Sequence, residues 1–490
     1  MALKKTEKTK YSKLAKKSLN KSDFANKSFF IKNKDLIKRI VFTLILLIII
    51  RIGVYITVPG IKLTSDFQSS IDNSQFFQLL STLGGGTIGR FSILALGVSP
   101  YITASIIVQL LSTDVIPILT RWNKSGERGR KKLDKLTKVL MIPFALMQGV
   151  ATIFTLQQQG VIEPGWVSTK VLASPAFYYI LVPLVMLAGS YFMLWIADQI
   201  TIKGVGNGIS IVIFIGIITQ MPVNIIQTWT WWIPNKGESI NILFSGIIFF
   251  TIYMGIFLIV IFSVVLMNEA ERKIPIQQTG SGLVDAKDHT PYLPLKLNNA
   301  GVIPVIFASA IISTPITIAQ ILDPTAASSL ATSGIYSSNG FVKFTQMYLS
   351  FSKWWGIGIF SIMVILFTFL YAQVQINPEK ISENFQKSGT FIPGIKPGID
   401  TTNFLQATIN RLSLFGSIFL AAIAALPYVI SKLIDLPSNL AIGGTGLIIC
   451  ISVAIQTTQQ IQGRIQQHKF IESKKQKFTD ENQNSSTHIW

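Results

Sequence analysis

The sequence predicts an all-α integral membrane protein with ten transmembrane helices in two inverted five-helix halves. Three observations support this fold class. The chain has 490 residues, of which 49% are hydrophobic and only 13% are charged, a composition typical of proteins that cross a membrane many times. The apolar residues fall into ten separate runs, and the segments between these runs are polar or rich in Gly and Pro. Lys and Arg are concentrated in alternate connecting segments.

The predicted spans follow a basic amino-terminal tail. Residues 1–39 are rich in lysine and lack the apolar core of a signal peptide, which predicts a retained cytoplasmic tail. A helix needs about 20 apolar residues to cross a bilayer. On this basis the spans are predicted at 40–58, 91–111, 138–156, 177–196, 208–226, 240–267, 301–321, 355–374, 412–428 and 446–458.

The second apolar run, 91–111, is the most informative stretch of the chain. It carries no charge and contains Ser99-Pro100, where the missing hydrogen bond of proline predicts a kinked helix. A shorter apolar segment at 76–90 precedes it and contains three consecutive glycines. That segment is too short to span a bilayer, so we predict a re-entrant helix, which is tolerated only inside protein or a water-filled cavity.

The distribution of Lys and Arg predicts the orientation in the membrane. Basic residues are frequent in the amino-terminal tail, in the segments 114–138, 268–296 and 376–411, and after residue 460. Cytoplasmic loops carry an excess of Lys and Arg. We therefore expect both termini, including the carboxy-terminal tail 467–490, on the cytoplasmic side.

Counting the spans divides the chain into two halves. An external loop at 229–239 separates an amino-terminal half, 40–228, from a carboxy-terminal half, 240–466, with five predicted spans in each. An odd number of spans per half gives the halves opposite topology, which is typical of inverted repeats that form a pathway at their interface.

The spans contain little of the chemistry that ion-coupled transporters or membrane enzymes use. The charged residues Arg51, Asp198 and Arg411 lie near span ends, whereas transporters typically keep ionisable residues inside the membrane. No nucleophile–base pair or pair of carboxylates occurs within a predicted span. A single cysteine excludes an internal disulfide, and three scattered histidines argue against a metal site.

Isoleucine pairs recur in two of the spans. Ile102 and Ile106 share one helix face, and Ile209 and Ile213 repeat the same spacing. Packing or lipid contact explains such pairs. The alternative is a hydrophobic constriction that blocks ions by excluding water.

Five longer motifs occur in order along the chain: GVSPYITASIIVQLL, GVGNGISIVIF, ERKIPIQ, LPLKLNNAGVIPVIFAS and KSGTFIPGIKPG. Together they closely resemble the SecY family of channel subunits of the bacterial protein-export translocon. The resemblance covers about residues 36–466. It implies two clam-like halves around a central pore, with a re-entrant plug helix. It also implies passage of unfolded secretory proteins, and sideways release of transmembrane segments through a lateral gate between spans 2–3 and 7–8.

The resemblance also implies roles for particular residues. A ring of apolar side chains narrows the pore: Ile102, Ile106, Ile209, Ile213, Ile306 and Ile449. The plug, at about 76–90, contains Phe76, Phe77, Leu80, Leu83, Gly84, Gly85, Gly86, Ile88 and Arg90. The cytoplasmic loops 268–296 and 376–411 bind the SecA motor or the ribosome, through Arg272, Lys273, Lys387 and Lys396.

The implied location is the cell membrane, and no catalytic activity, cofactor or metal is implied. The implied partners are SecE, SecG, SecA, the ribosome, signal peptides, nascent secretory or membrane proteins, SecDF, YidC and anionic lipids. Two departures from the family pattern matter. Asp285 and Asp288 stand where the family commonly has a basic cluster, which weakens the expected contact with ribosomal RNA. Lys396 stands where arginine is usual, so a bidentate contact is lost.

Three alternatives to a general export channel remain open from the sequence. An accessory SecY for a restricted set of substrates fits the changed 268–296 loop. An ion-coupled multi-pass transporter and a membrane-embedded enzyme are the alternatives from different classes. The source, a bacterium or a plastid, is also open, although the motifs favour a bacterium.

Overall fold

The computed structural model describes residues 34–59, 61–63, 77, 88–113, 116–158, 162–164, 177–233, 240–278, 291–323, 338–351, 353–434 and 444–486. Most of them lie in helices. Numbered in chain order, the helices are α1 (Lys34–Val54), α2 (Ser99–Ser112), α3 (Pro117–Lys124), α4 (Glu127–Gln158), α5 (Val182–Lys203), α6 (Gly208–Trp232), α7 (Ile240–Glu269), α8 (Ile303–Leu322), α9 (Gly340–Phe344), α10 (Trp354–Gln375), α11 (Pro378–Ser388), α12 (Ile399–Leu433) and α13 (Gly444–Ser486).

A helical membrane protein with many spans is confirmed. Within the described ranges, six helices are long and apolar enough to cross a membrane, and seven if the bent pair α2–α3 forms one span. The six are α4, α5, α6, α7, α10 and α12. The shorter helix α8 is also apolar from Ile303 to Ala319. The total of ten spans stays a prediction that these helices fit.

The second predicted span differs from the expectation. Residues 91–98 form turns, and α2 begins at Ser99 with Pro100 in its first turn. Proline fits this position because the first amide groups of a helix have no partner within the helix. The predicted kink at Ser99-Pro100 was therefore wrong, since proline starts the helix here. The change of direction comes later, where the axes of α2 and α3 differ by 96°.

Several helices extend into segments predicted as loops or tails, among them α6, which ends at Trp232, and α13, which ends at Ser486. The helix α4 begins at Glu127, well before the predicted span start at 138. The helix α12 begins at Ile399, inside the predicted loop 376–411. Hydropathy marks only the part of a helix within the membrane, so polar turns that continue outside it are missed.

The chain divides into two compact units. The smaller contains Met1–Ile49, Ile196–Gly208 and Gln456–Trp490. In its described part, the Val205 amide donates to Thr43 Oγ1 at 3.2 Å, and the Thr43 hydroxyl donates to the Arg39 carbonyl at 2.9 Å. A Cβ at position 204 would lie 2.4 Å from Thr43 Oγ1, so glycine is needed for the Gly204 backbone to approach α1.

The larger unit contains Ile50–Trp195 and Ile209–Ile455. In it, α10 packs along α12, and α8 packs against α2, α4 and α10. The Phe307 ring of α8 meets the Tyr371 ring of α10 edge to face, with centroids 5.8 Å apart. A buried cluster of Ala104, Met141 and Leu194 joins α2, α4 and α5.

The described strands form three two-stranded sheets, all in the larger unit. The strand β1 (Ile61–Leu63) pairs with β2 (Ile162–Pro164). The strand β3 (Glu271–Pro275) pairs with β5 (Tyr292–Lys296), and β4 (Gln277–Gln278) pairs with β6 (Thr390–Phe391). The β4–β6 pair joins the two segments that the sequence predicts as separate docking loops.

Candidate functional site

The segments 268–296 and 376–411 fold together into one body, which we call the loop body. Its described part is residues 271–278, 291–296 and 376–411. All pairings are antiparallel, with Arg272 opposite Leu295 in one sheet and Gln277 opposite Phe391 in the other. One buried apolar cluster draws residues from both segments and from α12: Ile274, Leu295, Ile392, Leu405 and Ile409. The two predicted docking loops are therefore one structural unit.

The spacing of apolar residues in the sequence indicates part of this body. Ile274 and Ile276 stand two positions apart, as do Leu293 and Leu295, with a proline between the members of each pair. A period of two predicts strands with one buried face. Ile274 and Leu295 are indeed buried, with 4% and 3% of their surface exposed.

The loop body is attached closely to the membrane helices. The Leu297 amide donates to the Ala270 carbonyl at 2.9 Å, which closes the base of the β3–β5 hairpin between α7 and α8. A Cβ at Gly416 of α12 would lie 2.8 Å from the Leu297 carbonyl oxygen. Glycine at this position therefore allows the α12 backbone to contact the base of the hairpin.

The helix α11 is fixed at both of its ends. The Asn377 side chain accepts a hydrogen bond from the Lys380 amide at 3.1 Å, which caps the amino end. Gly389 ends the helix in the left-handed conformation, with φ of 63°. The Ser382 hydroxyl donates to the Gly398 carbonyl at 2.8 Å, so α11 also holds the turn that contains Lys396.

Lys396 lies in a turn with a constrained backbone. Gly394 and Gly398 have φ values of 83° and 106°, which other residues adopt only with strain. The Thr401 hydroxyl donates to the Lys396 carbonyl at 2.9 Å. The Lys396 side chain is exposed, and it forms no ion pair with any described residue. The turn thus presents a cation from a fixed backbone.

The remaining docking cations predicted from the sequence lie on the same body. Arg272 is exposed on β3, and no described carboxylate pairs with it. Lys273 Nζ lies 3.6 Å from Glu271 Oε1 and 4.8 Å from the centroid of the Tyr292 ring. Asp285 and Asp288 lie outside the described residues.

Lys387 lies on α11 and has a carboxylate neighbour. Its Nζ atom is 3.8 Å from Glu383 Oε2, and both side chains are largely exposed. Such an exposed pair contributes little to stability. Lys387 therefore differs from Lys396 in having part of its charge balanced within the chain. The docking role of all four cations stays a prediction.

The six isoleucines predicted to line the pore lie in the larger unit. Ile102 and Ile106 are on α2, Ile209 and Ile213 are on α6, Ile306 is on α8 and Ile449 is on α13. All except Ile209, which is half-buried, have between 1% and 9% of their surface exposed.

Contacts join the four helices that carry these isoleucines. The helix α2 packs against α8. Ile209 packs against the cluster of Ala104, Met141 and Leu194, which brings α6 to α2. A Cβ at Gly446 would lie 3.3 Å from Ile217 Cγ2, so α13 and α6 also approach closely. The arrangement of all six side chains as one ring stays a prediction.

Only part of the predicted plug lies within the described residues. Phe77 and Ile88 are fully buried, and the Arg90 guanidinium lies 4.1 Å from the centroid of the Tyr55 ring. The other plug residues lie outside the described residues: Phe76, Leu80, Leu83, Gly84, Gly85 and Gly86.

The carboxy-terminal end of the predicted plug is anchored by backbone hydrogen bonds. The Val58 amide donates to the Phe91 carbonyl at 3.2 Å, and the Ile93 amide donates to the Ile56 carbonyl at 3.0 Å. Phe91 has φ of 44°, an uncommon conformation for a bulky residue. This end of the segment is therefore held against the chain that follows α1.

Comparisons with known proteins identify a family and a fold. The SecY family model matches residues 92–458. The protein translocase subunit SecY of Mycoplasma capricolum subsp. capricolum is 71% identical, over 98% of this chain and 98% of that protein. The fold is similar to a solved structure described as a protein conducting channel, with a TM-score of 0.60 and 19% identity over 86% of this chain and 91% of that chain. It is also similar to Sec61 in the canine ribosome-channel complex from the endoplasmic reticulum, with a TM-score of 0.56, 19% identity and the same coverage.

Proposed function

Because this chain belongs to the SecY family, we infer that it forms the protein-conducting channel of a Sec translocon. The main support for this inference is the 71% sequence identity with a protein translocase subunit over 98% of both chains. Unfolded secretory proteins cross the membrane through the channel, and transmembrane segments leave it sideways into lipid. The channel catalyses no chemical step of its own. Its location is the cell membrane, with both termini in the cytoplasm.

The isoleucine ring explains how such a channel stays closed to ions. Branched apolar side chains exclude water from a narrow constriction, and ions do not enter a dry pore. The same side chains offer no specific hydrogen bonds, so they can part around any substrate sequence. The burial of five of the six isoleucines is compatible with this role, and the plug provides a second seal.

A lateral gate between spans 2–3 (α2 and α4) and spans 7–8 (α8 and α10) explains how apolar segments reach the lipid. A signal sequence is an apolar helix that partitions favourably into the bilayer. The contacts of α8 with α2 and α4 support this position for the gate. The buried hydroxyls of Thr103, Ser309 and Thr317 donate within their own helices, at 2.8 to 3.2 Å. Separating the helices therefore breaks no hydrogen bond that these hydroxyls donate.

The loop body is the proposed docking surface for the partner that drives transport. One solved relative in fold is described within a ribosome-channel complex, which supports a ribosome as one partner, and the SecA motor is the other. The small subunits SecE and SecG complete the channel. Docking on one folded body allows a partner to act on α7, α8 and α12 together, because all three helices are joined to it.

Transport of a secretory precursor tests the proposed function. Vesicles that contain the full chain with SecE, SecG and SecA are expected to protect the precursor from added protease only when ATP is present. Vesicles without this chain serve as the control. If precursor is never protected, while a small solute enters in response to an ion gradient, the transporter alternative replaces the channel.

Replacing Ile449 by asparagine is expected to loosen the closed channel. An amide in a dry constriction lacks hydrogen-bond partners. This raises the free energy of the closed channel by about 1–3 kcal/mol unless water enters the constriction. The closed channel should then leak ions, and cells should export precursors with defective signal sequences more readily. Ile362→Asn is the matched control, because Ile362 lies on α10 with 64% of its surface exposed. Equal ion flux through the two variants would contradict the ring assignment.

A further inference from the structure

The carboxy-terminal end of α7 is the point where the loop body meets the membrane helices. Ala270 directly follows α7, and its carbonyl accepts the Leu297 amide at the base of the β3–β5 hairpin. Met267, in the last turn of α7, is buried, and its Cε atom would lie 3.7 Å from a Cβ at Gly416 of α12. A displacement of the loop body is therefore passed directly to this end of α7.

Asn268 connects the same end of α7 with α13 through its side-chain amide. The Nδ2 atom donates to the Val264 carbonyl at 2.9 Å and to Ser452 Oγ of α13 at 3.2 Å. An asparagine amide has two N–H donors, so one is used within α7 and the other crosses to α13. Ser452 has only 1% of its surface exposed. The contact therefore lies where breaking it leaves a buried polar group, which is unfavourable.

Ser452 lies close to one of the isoleucines assigned to the pore. Ile449 is three residues earlier in α13, and it is also 1% exposed. Three residues of a helix rise about 4.5 Å, and side chains at this spacing are neighbours on the helix surface. The helical hydrogen bonds keep this spacing fixed, so a shift of α13 at Ser452 moves Ile449 with it.

The polar contact differs in kind from the hydroxyls of the proposed lateral gate. Thr103, Ser309 and Thr317 donate within their own helices, whereas Asn268 donates to a different helix. Apolar contacts between helices are non-directional, but a hydrogen bond fixes one side chain against another. Asn268 and Ser452 thus hold α7 and α13 in register at the end of α7 that carries the loop body.

We propose that Asn268 is a positioning residue that couples the loop body to the isoleucine ring through Ser452. This coupling rests on the proposed function, because it needs a partner on the loop body and a ring in the pore. Docking shifts the end of α7, and the Asn268 amide carries this shift to α13 and Ile449. Without the hydrogen bond, the partner still docks and the ring still forms, but docking no longer moves the ring.

The native Cys450 provides a reporter for this movement. It is the one cysteine of the chain, it is 8% exposed, and it lies beside Ile449 in α13. Its alkylation by a small maleimide is measured in vesicles that contain SecE and SecG, with and without SecA and a non-hydrolysable ATP analogue. Docking should accelerate the alkylation of the parent chain. Asn268→Leu and Ser452→Ala should each lower this acceleration by roughly threefold or more, as expected for a hydrogen bond between membrane helices.

Two further serine variants separate the coupling from a general loss of packing. Ser417→Ala removes an equally buried hydroxyl, which donates to the Leu414 carbonyl of its own helix at 2.8 Å, and it should keep the acceleration. Ser452→Thr retains a hydroxyl and should keep it as well. Binding of SecA should be equal in all variants. An acceleration in Asn268→Leu and Ser452→Ala equal to that of the parent would overturn the proposal.

The double variant N268L/S452A tests whether the two side chains act as one unit. Residues that share one contact give non-additive effects, so the double variant should lose no more acceleration than either single variant. Additive losses would overturn the coupling. Protection of a precursor by the parent chain checks the proposed function separately. If the parent protects precursor while docking leaves Cys450 alkylation unchanged, the coupling is wrong and the channel stands. If the parent never protects precursor, both are wrong.

Discussion

Replacing Ile392 by aspartate is expected to reduce SecA-driven transport by more than an order of magnitude. Ile392 is 4% exposed, and it belongs to the cluster in which Ile274 and Leu295 of the other segment also pack. An unpaired carboxylate in an apolar cluster destabilises the folded loop body by several kcal/mol. The two segments should therefore separate, and a partner that engages one of them should no longer act on the other.

Ile399→Asp provides a matched control for this variant. It introduces the same charge at the start of α12, but Ile399 has 78% of its surface exposed. Transport into vesicles and protease cleavage within 271–296 are compared at equal channel abundance. Ile392→Asp should lose transport and gain cleavage, whereas Ile399→Asp should resemble the parent chain. Normal transport by Ile392→Asp would mean that the two segments act independently.

Local sequence signals were sufficient for most membrane helices. The span predicted at 208–226 starts at Gly208, and α6 begins there. The start of α7 at Ile240 and the extent of α8 also follow the predicted runs closely. These elements were predictable because the bilayer imposes one requirement, continuous apolar helix, which is visible in the sequence itself.

Features that depend on distant contacts were not predictable in this way. The strands β4 and β6 contain two residues each and pair across more than a hundred positions of sequence. A two-residue strand has no measurable period, so only the tertiary structure determines the pair. Ser99-Pro100 shows a different limit, because proline is compatible both with a kink inside a helix and with a helix start.

The isoleucines show why spacing alone does not identify a site. Ile102 and Ile106 have the same spacing as any packed pair on a helix, and burial is common to both interpretations. Their assignment to the pore came from the resemblance of whole motifs to the SecY family. The amino-terminal part of α4 shows the opposite case. Its cations are visible in the sequence, but the pairing of Lys131 with Glu127 and of Lys138 with Asp134 is seen only in the structure.

Replacing Lys396 by glutamate is expected to block SecA-driven export while the channel remains folded and inserted. The Lys396 backbone is held by the Thr401 hydroxyl and by a turn with two glycines at positive φ. A cation on such a turn loses little conformational entropy on docking. An ammonium forms one charge-assisted contact with a carboxylate or carbonyl of the motor, whereas a carboxylate at that point repels the same acceptor. Lys396→Arg should be tolerated or should improve transport, because guanidinium offers a bidentate contact.

Lys387→Glu is the matched control, since it makes the same change of charge on the same loop body. Lys387 already lies beside Glu383, so less of its charge is available to a partner, and its variant should retain more transport. ATP-dependent uptake of a precursor is measured in vesicles that carry equal amounts of each variant, together with SecA binding. Loss of uptake in Lys396→Glu with normal ion tightness and membrane insertion would place the defect at the motor contact. Normal uptake by Lys396→Glu would show that this lysine is only a solvated charge on the turn.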